Sequence, residues 1–506
     1  LLNNADQNPL NTDTISGSIR ATPSDDVTLT INGYYTWLKG GAVPYAFATG
    51  PTDYKRDLQL NSTNYQIFKY RGLNGKLEFP IDALSSKVTL IGAYDRRGVT
   101  TDGADPDFTP ANTLRSSGTD DLKTKTLELR LDSEISPTLS SILGVFYSRE
   151  TRQTNQDITV LPGVFNFVNK TKSMTKSDTY AGFGTIFWRP TDAWELSAGL
   201  RWDRQDRVAA GLQNNQFPVP GTVVTGGKLK ETNLSPRVAL THHWNSDLMT
   251  YASVARGARG GGFNPPAVPA NLRTYKGDSA WTYELGTKYS SPDRTVSLAA
   301  TLFYNDYKNY VGLNSILRTG ASFTTIDLNT GDVESYGLEL EGVWRVTREW
   351  TLSGGGSLMH ARLTNTDIYT QTTGRTLASN RLSFQPDWNF SLASDYVVPV
   401  GDGSLAFNTN LVGKGSRIPA SIRQKTPEVP GQPELRPLKS YVLVNGAITY
   451  RNGGIEVGPF VNNLFNKKYY ESYIERTTLI LAGLPNSDVG IIGDRRRYGI
   501  RTRIQF

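Results

Sequence analysis

The 506-residue chain takes its apolar surface from 25 Tyr, 19 Phe and 9 Trp, and with 48 Gly and only 38% hydrophobic residues it lacks the Ala/Leu/Glu/Lys background of helical bundles. Its net charge of +7 is dispersed except in "DRRRY" (Asp494 to Tyr498), which argues against nucleic acid as a partner, and the absence of cysteine excludes a disulfide scaffold and any thiolate site. No run approaches the roughly 18 apolar residues of a membrane-spanning helix; a membrane β-barrel stays open, because its lipid face uses every second residue and keeps mean hydropathy low, here −0.40.

The opening "LLNNADQNPL" has neither the charge nor the apolar core of a leader. From Ile15 onward the pattern is apolar/polar alternation in segments of about nine to eleven residues, which puts one residue set on each face of a sheet. Ile15 to Ala21 leads through the turn "ATPSDD" into a strand with Val27, Leu29, Ile31, Gly33, Tyr35 and Trp37 on one face and Thr28, Thr30, Asn32, Tyr34 and Thr36 on the other. Lys39–Gln66, Gly98–Asp121 and Thr151–Ser177 read as long loops. The second holds "DGADPDF" (Asp102 to Phe108), whose three carboxylates lack the bidentate glutamate of a calcium loop and read as solvated.

After the turn "RPTDA", Trp194, Leu196, Ala198, Leu200 and Trp202 oppose Glu195, Ser197, Gly199, Arg201 and Asp203. The bracketing tryptophans are eight residues apart, roughly 26 Å along a strand, the height of an apolar band between aromatic girdles. Asp206–Lys230 reads as another long loop. His242 and His243 are adjacent, so they point to opposite faces and do not share a metal. "GARGGGF" (Gly257 to Phe263) has no helix after it and reads as a permissive passage from strand to loop rather than a phosphate cradle. Alternating strands follow at Trp281 to Tyr289, Val296 to Tyr304, Tyr336 to Arg345 and Trp388 to Tyr396, joined by turns such as "SSPDR" and "RNGG"; Asn466–Asp494 is the last long loop. The closing "YGIRTRIQF" alternates Tyr498, Ile500, Thr502, Ile504 and Phe506 against Arg497, Gly499, Arg501, Arg503 and Gln505.

Polar mid-strand residues on one face, girdled apolar residues on the other, and short turns alternating with long loops predict an all-β transmembrane antiparallel barrel with about nineteen strands visible. Such bacterial barrels close with even numbers, so the odd count implies either that part of the barrel lies outside this sequence or that one more strand lies within it.

Six stretches, in order, carry a family resemblance: "NLSPRVALTHHWNSDLMTYASVARGARGGGFN" (Asn233 to Asn264), "YELGTKY", "FYNDYKNY", "YGLELEG", "VNNLFNKKYY" and "RRYGIRTRIQF". Together they resemble the TonB-dependent outer-membrane receptors. The resemblance implies a 22-stranded barrel of which residues 1–506 supply about strands 4 to 22, with an N-terminal plug, the TonB-contacting segment and the first strands outside the sequence. It further implies import of a scarce solute across a Gram-negative outer membrane, most often a ferric siderophore. Cobalamin, haem, carbohydrate and aromatic substrates stay open within the family. A plugless passive pore and a surface adhesion barrel stay open outside it.

No nucleophile–base arrangement, HExxH or phosphate loop is visible, so neither an enzyme nor a resident cofactor is expected. Partners are expected to be the TonB system, outer-membrane lipid and lipopolysaccharide, and a metal-chelate ligand. The resemblance favours plug contact for the inward-facing Arg201, Arg237, Glu284, Glu339 and Glu341. Aromatic and cationic candidates for ligand contact are Trp37, Tyr45, Tyr54, Arg56, Arg256, Arg259, Phe263, Tyr307 and Tyr310, with girdle or loop packing as the alternative for each. Tyr498, Ile500, Ile504 and Phe506 resemble a barrel-assembly signal.

Overall fold

A computed structural model describes residues 10–505 apart from 43–44, 51, 56–57, 59, 63, 109–110, 218–219, 267, 320–321, 375, 420–436 and 475–487. It is built on one nineteen-stranded antiparallel sheet, from Asn11–Ser24 to Arg497–Ile504, in which each strand pairs with its neighbours in the chain. The predicted alternation sets the two faces. Outward, toward the bilayer, lie Leu143 and Val145 on one strand, Leu200 and Trp202 on another, and Tyr336 and Leu340 on a third, all exposed. Across the apolar band the strands' charges and most of their hydroxyls lie inward, while above it both faces carry charge. Two rows of exposed aromatics bound the apolar band, one through Trp188, Trp194, Trp344 and Tyr396 at the turn end, the other through Tyr35, Tyr180, Tyr283 and Tyr336 at the loop end.

Connections at the turn end have two to five residues, as between Ser136 and Leu139 or Asn452 and Ile455. The loop end departs from expectation. The segment Thr151–Ser177 is mostly a hairpin: Leu139–Val160 pairs without a break with Phe167–Thr191, leaving 161–166 as the connection. Asp206–Lys230 is likewise absorbed by Trp194–Asn215 and Gly221–His243, and Gly98–Asp121 shrinks to the residues between Ala104 and Leu114. A 22-residue strand spans roughly 73 Å, far more than the apolar band. The alternation fades there for a physical reason: above the bilayer both faces meet water, so "TRQTNQD" carries no apolar contrast although its backbone ladder continues.

The sheet has two edges. Among the described residues, Asn11–Ser24 pairs only with Val27–Gly41, and Arg497–Ile504 only with Ile455–Asn462. After nineteen alternating strands these edges run in the same direction, so they cannot complete an antiparallel ladder with one another. The last strand turns Tyr498, Ile500 and Ile504 to the apolar side, with Tyr498 77% exposed, and its inward arginines include Arg501, whose guanidinium lies 5.3 Å from the Phe460 ring. Phe506 lies outside the described residues.

The acidic loop is also corrected, because Asp105 and Asp107 are buried rather than solvated. Asp105 accepts from the Asn61 amide at 2.8 Å, while Asp107 accepts from the Thr113 hydroxyl at 2.5 Å and the Leu114 amide at 2.8 Å, so the pair staples two neighbouring loops. Burial, with the Asp107 charge adding to it, pushes the Asp105 carboxyl up to about 7. A carboxyl raised above its unfolded value contributes stability that is complete below about pH 4 and lost as pH rises through about 7.

The amides of residues 103–108 and 111–114 are therefore expected to be better protected at pH 5 than at pH 8 in hydrogen exchange corrected for intrinsic rates, and Asp105→Asn should remove that difference; equal protection in the unaltered protein would contradict the burial of Asp105. The tall hairpins predict that trypsin spares Arg149, Arg152, Lys170 and Lys176 in the folded protein while cutting them after heat unfolding; rapid cleavage at Arg152 in the folded state would restore the loop reading.

Candidate functional site

At the loop end, residues distant in sequence are gathered in two packed bodies. The first joins the beginning and the end of the chain. Ala46–Ala48, Tyr470–Ile474 and Asp488–Ile492 form a separate three-stranded sheet over a small core of Ala46, Ala48, Leu438, Tyr473 and Ile492. Tyr54 stacks on Tyr470 at 5.0 Å, the Tyr470 hydroxyl donates to the Asp53 carbonyl, and Arg495 donates to the Tyr54 carbonyl. Tyr45 contacts Phe108 at 5.4 Å and shares a 3.3 Å hydrogen bond with Ser472. The buried Arg417 donates to the Tyr470 carbonyl and to Glu471, both at 3.0 Å, under the Tyr441 ring. Burial pushes the Tyr441 and Tyr470 hydroxyls up, so both remain donors. Tyr45 and Tyr54 thus pack loop against loop. Arg56 lies outside the described residues.

The second body grows from the glycine run. The strand ends at Arg259, and the Gly261 and Gly277 amides both donate to Glu231, at 2.6 and 3.0 Å. A Cβ on Gly261 would collide with the Tyr275 carbonyl oxygen, so close backbone approach requires glycine here. Arg259 is ion-paired to the buried Asp278 and donates to the Val311 carbonyl at 3.1 Å, while the Val311 amide returns to Asp278 at 3.0 Å. Removing the guanidinium would leave a buried carboxylate without its cation, a cost of about 1–3 kcal/mol given that Arg259 itself is half exposed. Tyr307 and Tyr310 pack edge to face at 6.2 Å against a core of Val268, Leu272, Ile326, Leu328, Val333, Leu363 and Tyr369. Three ligand-contact candidates, Arg259, Tyr307 and Tyr310, are therefore built into this scaffold.

Between this body and the inner wall of the tall hairpins is a pocket of about 280 Å³. Its lining includes Arg152, Thr154, Ser173 and Thr225 from the hairpins, and Phe263, Pro265, Pro266 and Arg273 from the loop. Arg152 forks onto Asp120 at 2.9 and 2.8 Å, and the same carboxylate takes Arg97 at 3.0 Å. Two guanidiniums share the Asp120 carboxylate, Glu150 also lies near Arg152, and the charged side chains lining the pocket itself are Arg152 and Arg273. Phe263 is the sequence candidate that the structure places here. Arg97, Arg152 and Arg273 were not singled out in the sequence, and continuing the alternation through 151–177 would have put Arg152 on the inward face.

Other candidates lie elsewhere. Trp37 is on the outward face with Leu29, Ile31 and Tyr35, and Arg256 is outward too, opposite Trp281, with its guanidinium on the Leu234 carbonyl at 2.6 Å. Both are corrected from ligand contact to wall residues by the same parity that sets the girdle. Arg201, Arg237, Glu284, Glu339 and Glu341 all face inward. Arg201 is engaged in the wall, ion-paired with Asp203 at 2.8 Å and flanked by the Phe146 and Phe183 rings. Glu284 accepts from Ser253 at 3.3 Å, while Arg237, Glu339 and Glu341 make no ion pair among the described residues. His242 lies outward between Trp194 at 4.1 Å and Trp244 at 4.4 Å, an interfacial aromatic cluster.

The family profile described as "TonB dependent receptor-like, beta-barrel" matches residues 3–464. The pesticin receptor of Yersinia pestis is 23% identical over 376 residues, covering 73% of this chain and 49% of its own; the catecholate siderophore receptor Fiu of Escherichia coli K12 is 25% identical over 364 residues, covering 65% and 45%. The chain thus spans about half the length of the curated relatives it matches. Among solved structures, the ferric yersiniabactin uptake receptor FyuA of Yersinia pestis superposes with a TM-score of 0.79 at 18% identity, covering 98% of this chain and 71% of its own. The ferric-catecholate import receptor Fiu of E. coli K12 gives 0.72 at 16%, covering 99% and 75%. With inward charges, a girdled apolar exterior and a match over nearly its whole length, the chain belongs to the TonB-dependent receptor β-barrel family.

Proposed function

We propose that the protein is a receptor in a Gram-negative outer membrane that captures an anionic ferric chelate, of siderophore type, and imports it with energy delivered through TonB. The observation that carries this reading is the cationic pocket beneath the loops: Arg152 and Arg273 line a space bounded by Phe263 and two prolines. Guanidiniums bind carboxylate or catecholate oxygens by charge-assisted hydrogen bonds, and the ring offers an apolar contact to the ligand's organic part. The names of the relatives, siderophore and ferric-chelate receptors, support the same chemistry. The work is binding and passage, with no covalent step.

The remaining parts take places in this scheme. Three further strands outside this sequence would give 22, an even number, and pair both open edges. A plug inside the wall would meet the inward Arg237, Glu339 and Glu341, which have no ion-pair partner among the described residues, and would carry the TonB-contacting segment. The tall hairpins would stand outside the cell and the two- to five-residue turns in the periplasm.

A deletion strain is expected to lose growth on at least one ferric chelate as sole iron source and regain it on complementation; normal growth on every chelate of a broad panel would refute the iron assignment. In purified full-length receptor, replacing Arg152 and Arg273 together with glutamine should weaken binding of the active chelate roughly 30- to 100-fold, about 2–3 kcal/mol for two partly solvated charge-assisted contacts. Unchanged affinity by tryptophan fluorescence titration would move the site elsewhere.

A further inference from the structure

Above the pocket, the inner face of the tall hairpins has no part in the contacts that build the barrel wall or the pocket. On the inward parity of the five strands from Leu114–Ser136 to Gly221–His243, the two rungs above Thr154 hold Ser116, Gln156, Asn169, Thr171, Gln213 and Asn215, set among glycines, Ile158 and Val223. No charged residue shares those rungs on that face. The outward face of the same strands at the same height does carry charge, with Arg115, Asp157, Lys170 and Lys172, so neutrality belongs to the inner face and not to the sequence stretch. Gln156 donates to Ser116 at 3.4 Å and Gln213 to Asn215 at 3.1 Å, and each glutamine has a second N–H and a carbonyl oxygen beyond that bond.

One rung higher the face becomes aromatic. Val160 stands opposite Phe167, whose ring stacks on Phe165 at 5.7 Å and on Phe217 at 5.4 Å. Phe165 and Phe217 are 64% and 38% exposed. Asn169 fixes the Phe217 segment, accepting from its amide at 3.2 Å and donating to its carbonyl at 2.8 Å. From Phe167 down to the girdle residue Tyr180 the strand runs roughly 43 Å, so lipid does not cover these rings. Stacked rings left in water at that height mark a contact point for an apolar group.

We infer that the ligand held at Arg152 and Arg273 is a chelate bearing an uncharged peptide arm, which lies along the carboxamide and hydroxyl wall and ends in an apolar or aromatic group on Phe165, Phe167 and Phe217. Primary carboxamides carry donor and acceptor together and so match the peptide group, whereas a charged arm would find no counter-charge on this face. The register sets the length. From Arg152, opposite Thr175, to Val160, opposite Phe167, the strand climbs about 26 Å, the reach of about eight extended residues and more than a compact chelate spans. The inference rests on the chelate reading of the pocket and adds to it the class of chelate.

The test titrates purified full-length receptor, by tryptophan fluorescence, with ferric complexes of one anionic tris-catecholate core: bare, with an arm of about eight residues made of serines and a terminal phenylalanine amide, with an all-serine arm of the same length, and with a short arm of about three residues ending in phenylalanine amide. The long phenylalanine arm is expected to bind roughly tenfold tighter than the bare core, and the short arm to gain less than about threefold, because only the long one reaches both contact points. Phe165→Ser/Phe217→Ser should bring the long phenylalanine arm down to the affinity of the all-serine arm and leave the bare core unchanged. Gln156→Ala/Gln213→Ala, which keeps the rings, should cut the long arm's gain by about threefold. Heat-modifiable migration checks that each variant is folded. Equal affinity of the bare core and the long phenylalanine arm, an equal gain from the short arm, or a gain that survives the ring substitutions would each overturn the inference. Binding of the core with no effect of any arm strikes this inference alone; failure of every complex to bind overturns it together with the cationic-pocket reading.

Discussion

Hydrocarbon has no hydrogen-bonding partner for a peptide group, so every N–H and C=O in the spanning part of this chain must be paired within the sheet. That constraint explains the uninterrupted neighbour pairing through nineteen strands, and it sets apart Asn11–Ser24 and Arg497–Ile504, each of which has one strand neighbour among the described residues. It also frees the side chains. With the backbone satisfied by the ladder, parity alone sorts residues, apolar and aromatic outward, charged and small inward.

Above the bilayer the same ladder persists with a different purpose. Water can satisfy the backbone there, yet the hairpins around Thr151–Ser177 and Asp206–Lys230 continue in full register. Their inward faces make a tall wall, and the glycine-run body leans on it through Arg207, Glu231 and Phe263. The pocket between them is therefore held by two structures of different origin, a rigid wall supplying Arg152 and a loop body supplying Phe263 and Arg273. The clasp between Ala46–Ala48 and Asp488–Ile492 has a comparable role for the chain's two ends, tying the loop near the first edge to the loop near the last.

Much of the fold was legible because the lipid face advertises itself. Strand number, face assignment for strands such as Val27–Trp37 and Trp194–Asp203, and the turn positions followed from period-two contrast. The tall hairpins were not legible, since "TRQTNQD" has β-compatible residues but no apolar face to count. The candidate site suffered for the same reason. Aromatic and arginine residues near predicted loops were gathered as ligand contacts, and the structure distributes them: Trp37 and Arg256 to the outer wall, Tyr45 and Tyr54 to the clasp, Arg259, Tyr307 and Tyr310 to a loop core, and Phe263 alone to the pocket. Arg152 is not legible in the sequence because Thr151–Ser177 reads as a loop, where parity has no meaning. The buried Asp105 and Asp107 were missed because a carboxylate's burial depends on contacts made 44 residues away in sequence, as with Asn61.

A ferric chelate bound as proposed would sit among Arg152, Arg273 and Phe263. Anomalous scattering at the iron edge, from crystals of the full-length receptor soaked with the chelate that supports growth, locates the metal directly. The expected result is an iron peak within the reach of one chelate ligand from both guanidiniums and the Phe263 ring. A peak held by other residues, or none at saturating chelate, would contradict it.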